Sequence, residues 1–414
     1  MVSWPMIIRG ALALRRLAAD GASPGARTVD PERLRRARRY NRTKEQLFLV
    51  GLVTSLVTGA LVVFSGAAAR VRTAVQRRTG RGLPGDAATT TVYSLLGWLA
   101  ALPLDYISSY VVEHRYGLSN QTRTAWLTDH LKGLGVGLVL QTPLALAGYT
   151  AIRRWPRTWW AIVSAASIPL TVLLAQLGPV LIMPLFNKYE PLKDRELAER
   201  LKALAARSGI EVADVLQTDM SRQTKKANAF FAGLGRTKRI VLADTLLEQF
   251  TPEEIEVVVA HEIAHQAHRD IWRFIALGSV FTVALSFLVD RLARGTLARF
   301  GSRIGTDRLG DVATMPLLSW FLSIAGLLLG PVQNWYSRRI ERRADAFALE
   351  LTRDPVAFGS AMTRLAAVNL SDPKPPALVR LLLYGHPSIA ERIDHARAFA
   401  AEHGLPAPEP ITVE

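Results

Sequence analysis

The 414 residues would furnish about two or three ordinary domains, but 49% are apolar and gather in long uncharged blocks, which excludes a purely soluble chain. No cysteine is present, so disulfides and thiolate metal sites are excluded and any metal must sit on His, Asp or Glu. Much of the formal net charge of +16 lies in the first 45 residues and beside the apolar blocks, which fits anionic lipid headgroups and argues against nucleic acid as a partner.

In chain order, residues 3–19 read as an interfacial amphipathic helix, because Arg9, Arg15 and Arg16 break the apolar run that a cleaved signal would need. The linker GASPG (21–25) and a basic helix around 31–45 follow, so 1–45 forms a basic amphipathic N-terminal segment. Uncharged stretches then lie at 46–69, 87–104, 133–152, 158–187, 274–289 and 312–337. About 20 residues are needed to cross a bilayer as helix. The stretch 87–104 falls slightly short, running into Asp105 after Pro103, and 274–289 is as short as a buried soluble helix. All six are assigned as spans, with helices 1–4 in 46–187 and helices 5–6 in 274–337. Arginine density places the N-terminus in the cytoplasm, although the loop 70–86, with Arg70, Arg72, Arg77, Arg78 and Arg81, would then lie outside.

Two large polar segments remain, 188–273 and 338–414. Only two spans separate them, so both emerge on one face, cytoplasmic in this orientation. Within the first, 192–208 has helical periodicity, 211–217 reads as a strand, and 226–243 reads as a hairpin turning at Gly-Leu-Gly with its second strand at 239–243. Thr251-Pro252-Glu253-Glu254 then supplies a cap, a first-turn proline and a capping box.

The helix so started contains His261-Glu262-Ile263-Ala264-His265, an HExxH motif. Residues four apart share a helix face, so both imidazoles can reach one ion, while Glu262 stands beside them as a general base toward water. A third protein ligand is required. His268 is nearly on the same face, but the longer HExxHxxGxxH pattern needs glycine at 268 and histidine at 271, where this chain has Ile271. Glu341 is the better candidate, in SRRIERRADAFA (337–348) just past the last apolar block, with Asp345 one turn on to hold a ligand histidine by its other nitrogen. Read alone, that segment would be a surface helix with i,i+4 charge pairs. The upstream HExxH on the same membrane face decides for a ligand set of His261, His265 and Glu341, a hydrolytic rather than a closed structural arrangement.

From about residue 90 to 398 the chain resembles the type-I CAAX prenyl proteases, integral-membrane zinc metallopeptidases. The likeness is carried by HEIAH and SRRIERRADAFA together, and by PLFNKYEPL (184–192), EHRYGLSNQT (113–122), NAFFAGLGRTKRIVLADTLL (228–247) and HPSIAERI (386–393). It implies one zinc ion per chain. It also implies that Asn228 and Ala229 sit on an edge strand pairing with a bound peptide, that His386 stabilises the developing oxyanion, and that Arg392 lies near the catalytic centre. Apart from the resemblance, Asn228 could be a turn residue, and Ser388 to Glu391 is itself a capping box. Such enzymes enclose a chamber in a barrel of transmembrane helices, where Asp105 would face a wet cavity. The zinc site lies at the chamber's cytoplasmic end, and the short span 274–289 begins soon after His265, so the HExxH helix would run on toward the bilayer. Family members usually have seven spans; this chain shows six, the first being replaced by residues 1–45.

The expected architecture is therefore mainly α and polytopic, a transmembrane helical barrel or bundle with a zincin-like metallopeptidase domain carrying a small β-sheet. The expected activity is zinc-dependent endoproteolysis, of the CAAX-processing type, on peptide or protein substrates that are membrane-associated or lipid-modified. The alternatives are a quality-control protease for membrane proteins and, in another class, an inactive scaffold or transport component. HExxH and Glu341 being intact weighs against the last.

Overall fold

The computed structural model describes residues 31–233 and 235–411. The amphipathic helix and linker expected over 3–25 lie outside these residues. Helix α1 (Pro31–Phe64) joins the basic stretch and the first apolar block in one rod, so 31–45 is the polar stem of a span rather than a separate helix. It stops before Gly66, whose φ of 71° suits glycine. The arginine-rich stretch expected to be a loop is largely helix, α2 (Ala67–Thr79). Leu83–Asp105 (α3) continues through a π turn at Tyr106–Val111 into α4 (Val112–Arg115). Pro103, which lacks an N–H, precedes that widening of the ladder.

The long helix α5 (Arg123–Arg154) is capped by Thr122, whose hydroxyl accepts from the Ala125 N–H at 3.1 Å. It is followed by α6 (Trp159–Leu177). The other two long apolar helices are α10 (Asp270–Ile304) and α11 (Met315–Thr352). Six helices among the described residues are long and apolar enough to cross a membrane, and they overlap the six expected stretches. Their surfaces are apolar where a soluble protein's would be polar: Val139 is 73% exposed and Leu328 70%.

Between α6 and α10 lies the small sheet, β1 (Tyr189–Pro191), β2 (Asp214–Thr218), β3 (Ala229–Ala232) and β4 (Arg239–Ala243), in the order β1-β2-β4-β3. β2 and β4 pair in parallel, while β3 runs antiparallel to β4 with Ala229 opposite Leu242. The expected hairpin is thus present, and β3 is an edge strand among the described residues. Helix α7 (Arg195–Ala206) connects β1 to β2, and α8 (Asp244–Gln249) follows β4. Helix α9 (Pro252–Ala267) carries HExxH, with the capping box of Thr251 and Glu254 formed in full.

Helices α12 (Pro355–Asn369), α13 (Ala377–Leu383) and α14 (Ile389–His403) complete the chain. Leu201, Ile240, Leu242, Ile255, Val259, Ile263, Leu349, Phe358 and Ile393 form one buried core joining the sheet to α9, α11, α12 and α14. Each such side chain stabilises the fold by about 1.5–3 kcal/mol when fully buried, so the helix bearing the imidazoles is held firmly on its apolar face.

Inside the membrane half, α1, α2, α3, α5 and α11 surround a cavity of about 1390 Å³. Small residues such as Gly51, Gly97, Gly133 and Gly137 line it, and Asp105 does too, so that carboxylate faces a chamber rather than lipid.

Candidate active site

Each functional side chain is placed by a local device. In α9 the turn spacing puts His261 and His265 on one face, their rings 5.0 Å apart. Helix α11 runs past the end of its apolar stretch and lies against α9, bringing Glu341 opposite both imidazoles. Glu341 Oε2 stands 3.1 Å from His261 Nε2, and Oε1 stands 3.7 Å from His265 Nε2. One ligand atom from each of these three residues lies within 4.8 Å of the others.

The opposite nitrogens are both engaged. His261 Nδ1 lies 2.9 Å from Asp345 Oδ1, one helical turn beyond Glu341 as its spacing requires. Arg392, from α14, donates to both oxygens of Asp345, Nε to Oδ2 at 2.9 Å and Nη2 to Oδ1 at 2.5 Å. His265 Nδ1 lies 3.1 Å from Asp270 Oδ2, and Arg343 also donates to Asp270. Asp270 is not found by sequence reasoning. Its spacing of five from His265 does not place the two on one face of a continuous helix. Nor does the HExxH helix run on toward the bilayer as expected, because it breaks at Arg269, in the left-handed region at φ 54°. A new helix, α10, begins at Asp270, and only this break folds the carboxylate back onto the imidazole.

These donors fit a metal ion. Bonds of about 2.0–2.2 Å at a tetrahedral centre separate neighbouring ligand atoms by about 3.4 Å, and the observed 3.1 and 3.7 Å bracket that value. Glu341 Oε2 is buried and makes no hydrogen bond of acceptable geometry, although imidazole nitrogens surround it. A metal ion would satisfy such an atom. Burial opposes a charge on His261, but the hydrogen bond to Asp345 and the nearby carboxylate of Glu341 prevail and hold its pKa up at about 9. That is the electrostatic signature of a site prepared for positive charge. For Glu262, burial raises the carboxyl pKa against the pull of the two imidazoles.

His386 also reaches this carboxylate, Nε2 lying 3.3 Å from Glu341 Oε2, with its own side chain 66% exposed. The capping box of Ser388 and Glu391 is also formed, so HPS both starts α14 and delivers His386. His268 takes no part: its ring packs edge-on against Phe347 at 5.3 Å. Ala229 is buried in β3, which packs against α9, and the Asn228 carbonyl accepts from the Ala243 N–H at 3.0 Å.

Comparison with known proteins gives this geometry its setting. The family description "Peptidase family M48" matches residues 191–400, covering strands β2 to β4, both imidazoles, Glu341 and Arg392. The chain belongs to this family. Residues 16–188 match "CAAX prenyl protease N-terminal, five membrane helices", a stretch that holds four of the six long apolar helices among the described residues. Relatives of this M48 chain include the uncharacterized metalloprotease YhfN of Bacillus subtilis, 30% identical over 95% of this chain and 92% of that one. CAAX prenyl protease 1 of Saccharomyces cerevisiae is 30% identical over 72% of this chain and 69% of its own length. The crystal structure of S. mikatae Ste24p superposes with a TM-score of 0.78 at 26% identity, covering 89% of each chain. The M48 protein is therefore a multi-pass integral membrane metallopeptidase, a hydrolase acting on peptide or protein substrates.

Proposed function

We propose that this M48 peptidase is a zinc endopeptidase whose single ion is held by His261, His265 and Glu341. The convergence of the two HExxH imidazoles with a distant buried carboxylate carries the reading. Zinc on these donors supplies Lewis acidity toward the scissile carbonyl and toward water. Glu262 accepts a proton from the attacking water and returns one to the leaving amine, a task suited to a carboxyl whose pKa is raised. His386 donates a hydrogen bond to the oxyanion, and Asp345, clamped by Arg392, keeps the His261 ring turned toward Glu341. Edge strand β3, entered at Asn228 and Ala229, pairs with an extended substrate backbone irrespective of its sequence.

CAAX-type processing of membrane-associated, lipid-bearing peptides is the favoured role. The similarity to CAAX prenyl protease 1 supports it, as does a chamber whose small lining residues leave room for a lipid-bearing chain. The basic stem of α1 supports a cytoplasmic position for the catalytic residues. Glu262→Gln should lower proteolysis of a prenylated peptide by at least about a hundredfold, the loss expected for a general base, with bound zinc unchanged by metal analysis. Undiminished cleavage would refute the mechanism. Cleavage of an unfolded polypeptide in preference to the prenylated peptide would favour the quality-control role.

A further inference from the structure

Helix α13 places Leu378, Leu381 and Leu382 at i, i+3 and i+4, one face of a helix, and that face is bare: Leu378 is 66% exposed. The helix is also tied to α11 and to α14. Arg338, buried on α11 three residues before Glu341, donates to the carbonyls of Arg380 at 3.0 Å and Tyr384 at 2.6 Å. Asn334 donates to the Leu382 carbonyl at 2.7 Å. Arg380 in turn bonds Glu391 at 2.5 Å, in the capping box that starts α14 and precedes Arg392.

These ties set the level of α13 along the molecule. Asn334 and Arg338 bracket the point where the apolar run of α11 ends. Exposed Val332 and Trp335 lie at this level, and Tyr336 meets Phe274 of α10 at 5.9 Å beside exposed Trp272. Aromatic side chains clustered at one end of two spans mark a membrane–water boundary. The bare leucines thus continue the lipid-facing surface of the spans, and the exposed arginines at 339 and 342 stand where headgroups would be.

We propose that α13 is an interfacial membrane helix, its Leu378, Leu381 and Leu382 seated in the headgroup–acyl boundary of the bilayer that the spans cross. Glu341 follows Trp335 by six residues, about 9 Å of helix rise. The leucine face therefore holds the catalytic residues just above the lipid surface, and it pins α11 and α14 to that surface together.

The natural absence of cysteine makes the test direct. Leu378→Cys, Leu381→Cys and Leu382→Cys each give the full-length protein one site for a nitroxide label, with Glu350→Cys as an exposed reference on the polar part of α11. In vesicles of phosphatidylcholine and phosphatidylglycerol, oxygen should collide with the three leucine-site labels more than a water-soluble nickel chelate does, with the order reversed at 350. Metal content equal to wild type verifies the fold of each variant. Nickel access at the leucine sites matching that at 350 would overturn the proposal. So would shielding from both quenchers, which would mean that protein rather than lipid covers the helix.

Discussion

The two imidazoles of α9 are not equivalent, because different carboxylates on different elements orient them. Asp345 belongs to the helix that also carries Glu341, and Arg392 neutralises it. Asp270 starts a new helix and is neutralised by Arg343 and Arg273. Losing the partner that orients a ligand histidine typically weakens metal affinity by about 10–100-fold. Asp270→Asn is expected to show a loss in that range by competition with a chromophoric chelator, and unchanged affinity would deny the carboxylate an orienting role. Protons compete at His261. Its pKa is raised to about 9 in the metal-free protein, so binding must displace a proton at every pH below that value. The apparent affinity should therefore fall by about tenfold for each pH unit from about 9 down to about 7, one proton being released per ion bound. An affinity that does not change over that interval would show the imidazole to be neutral before metal arrives.

At the scale of elements, α9 is fixed at its start as firmly as along its face. Thr251 Oγ1 accepts from the Glu254 N–H at 3.3 Å, and a Glu254 oxygen accepts from the Thr251 N–H at 3.0 Å. Glu254 reaches further, to Ser360 at 2.5 Å and Arg364 at 2.8 Å on α12. Removing a capping hydroxyl costs about 1 kcal/mol, whereas losing hydrogen bonds to a charged group costs about 1.5–3 kcal/mol. Glu254→Ala should consequently lower the thermal midpoint more than Thr251→Ala, with both retaining bound metal. The reverse order would mean that the link to α12 contributes little.

The whole molecule is tied together by Glu113, at the end of the α3–α4 rod beside the basic stem of α1. Its carboxylate accepts from Tyr40 at 2.8 Å and Lys44 at 3.1 Å on α1, and it pairs with Lys226 before β3 at 2.9 Å. One buried acid thus joins two membrane helices to the edge strand proposed to bind substrate. Glu113→Ala would leave two lysines and a tyrosine facing a void. With both lysine side chains 32% exposed, a loss of about 1–3 kcal/mol is expected from the groups left unsatisfied, together with a raised KM if β3 shifts. A thermal midpoint equal to wild type would show that the ties on β3 lie elsewhere.

Much of this is legible in the linear chain. Six apolar stretches, the capped helix before HExxH and the turn spacing of Glu341 and Asp345 are local patterns, set by the helix period and the thickness of a bilayer. Span parity even places the HExxH segment and the segment carrying Glu341 on one face, far apart as they are along the chain. Other features depend on contacts between elements that no periodicity encodes. The arginine-rich stretch is a helix, α2, rather than a loop, and that helix packs beside α3 and ion-pairs through Arg72 with Asp311. Asp270 reaches His265 only because the backbone breaks at Arg269. The leucines of α13 acquire their meaning from carbonyls bound by Arg338 and Asn334 on α11. Local spacing determined which residues could meet an ion; long-range hydrogen bonding and helix breaks decided which carboxylates orient them.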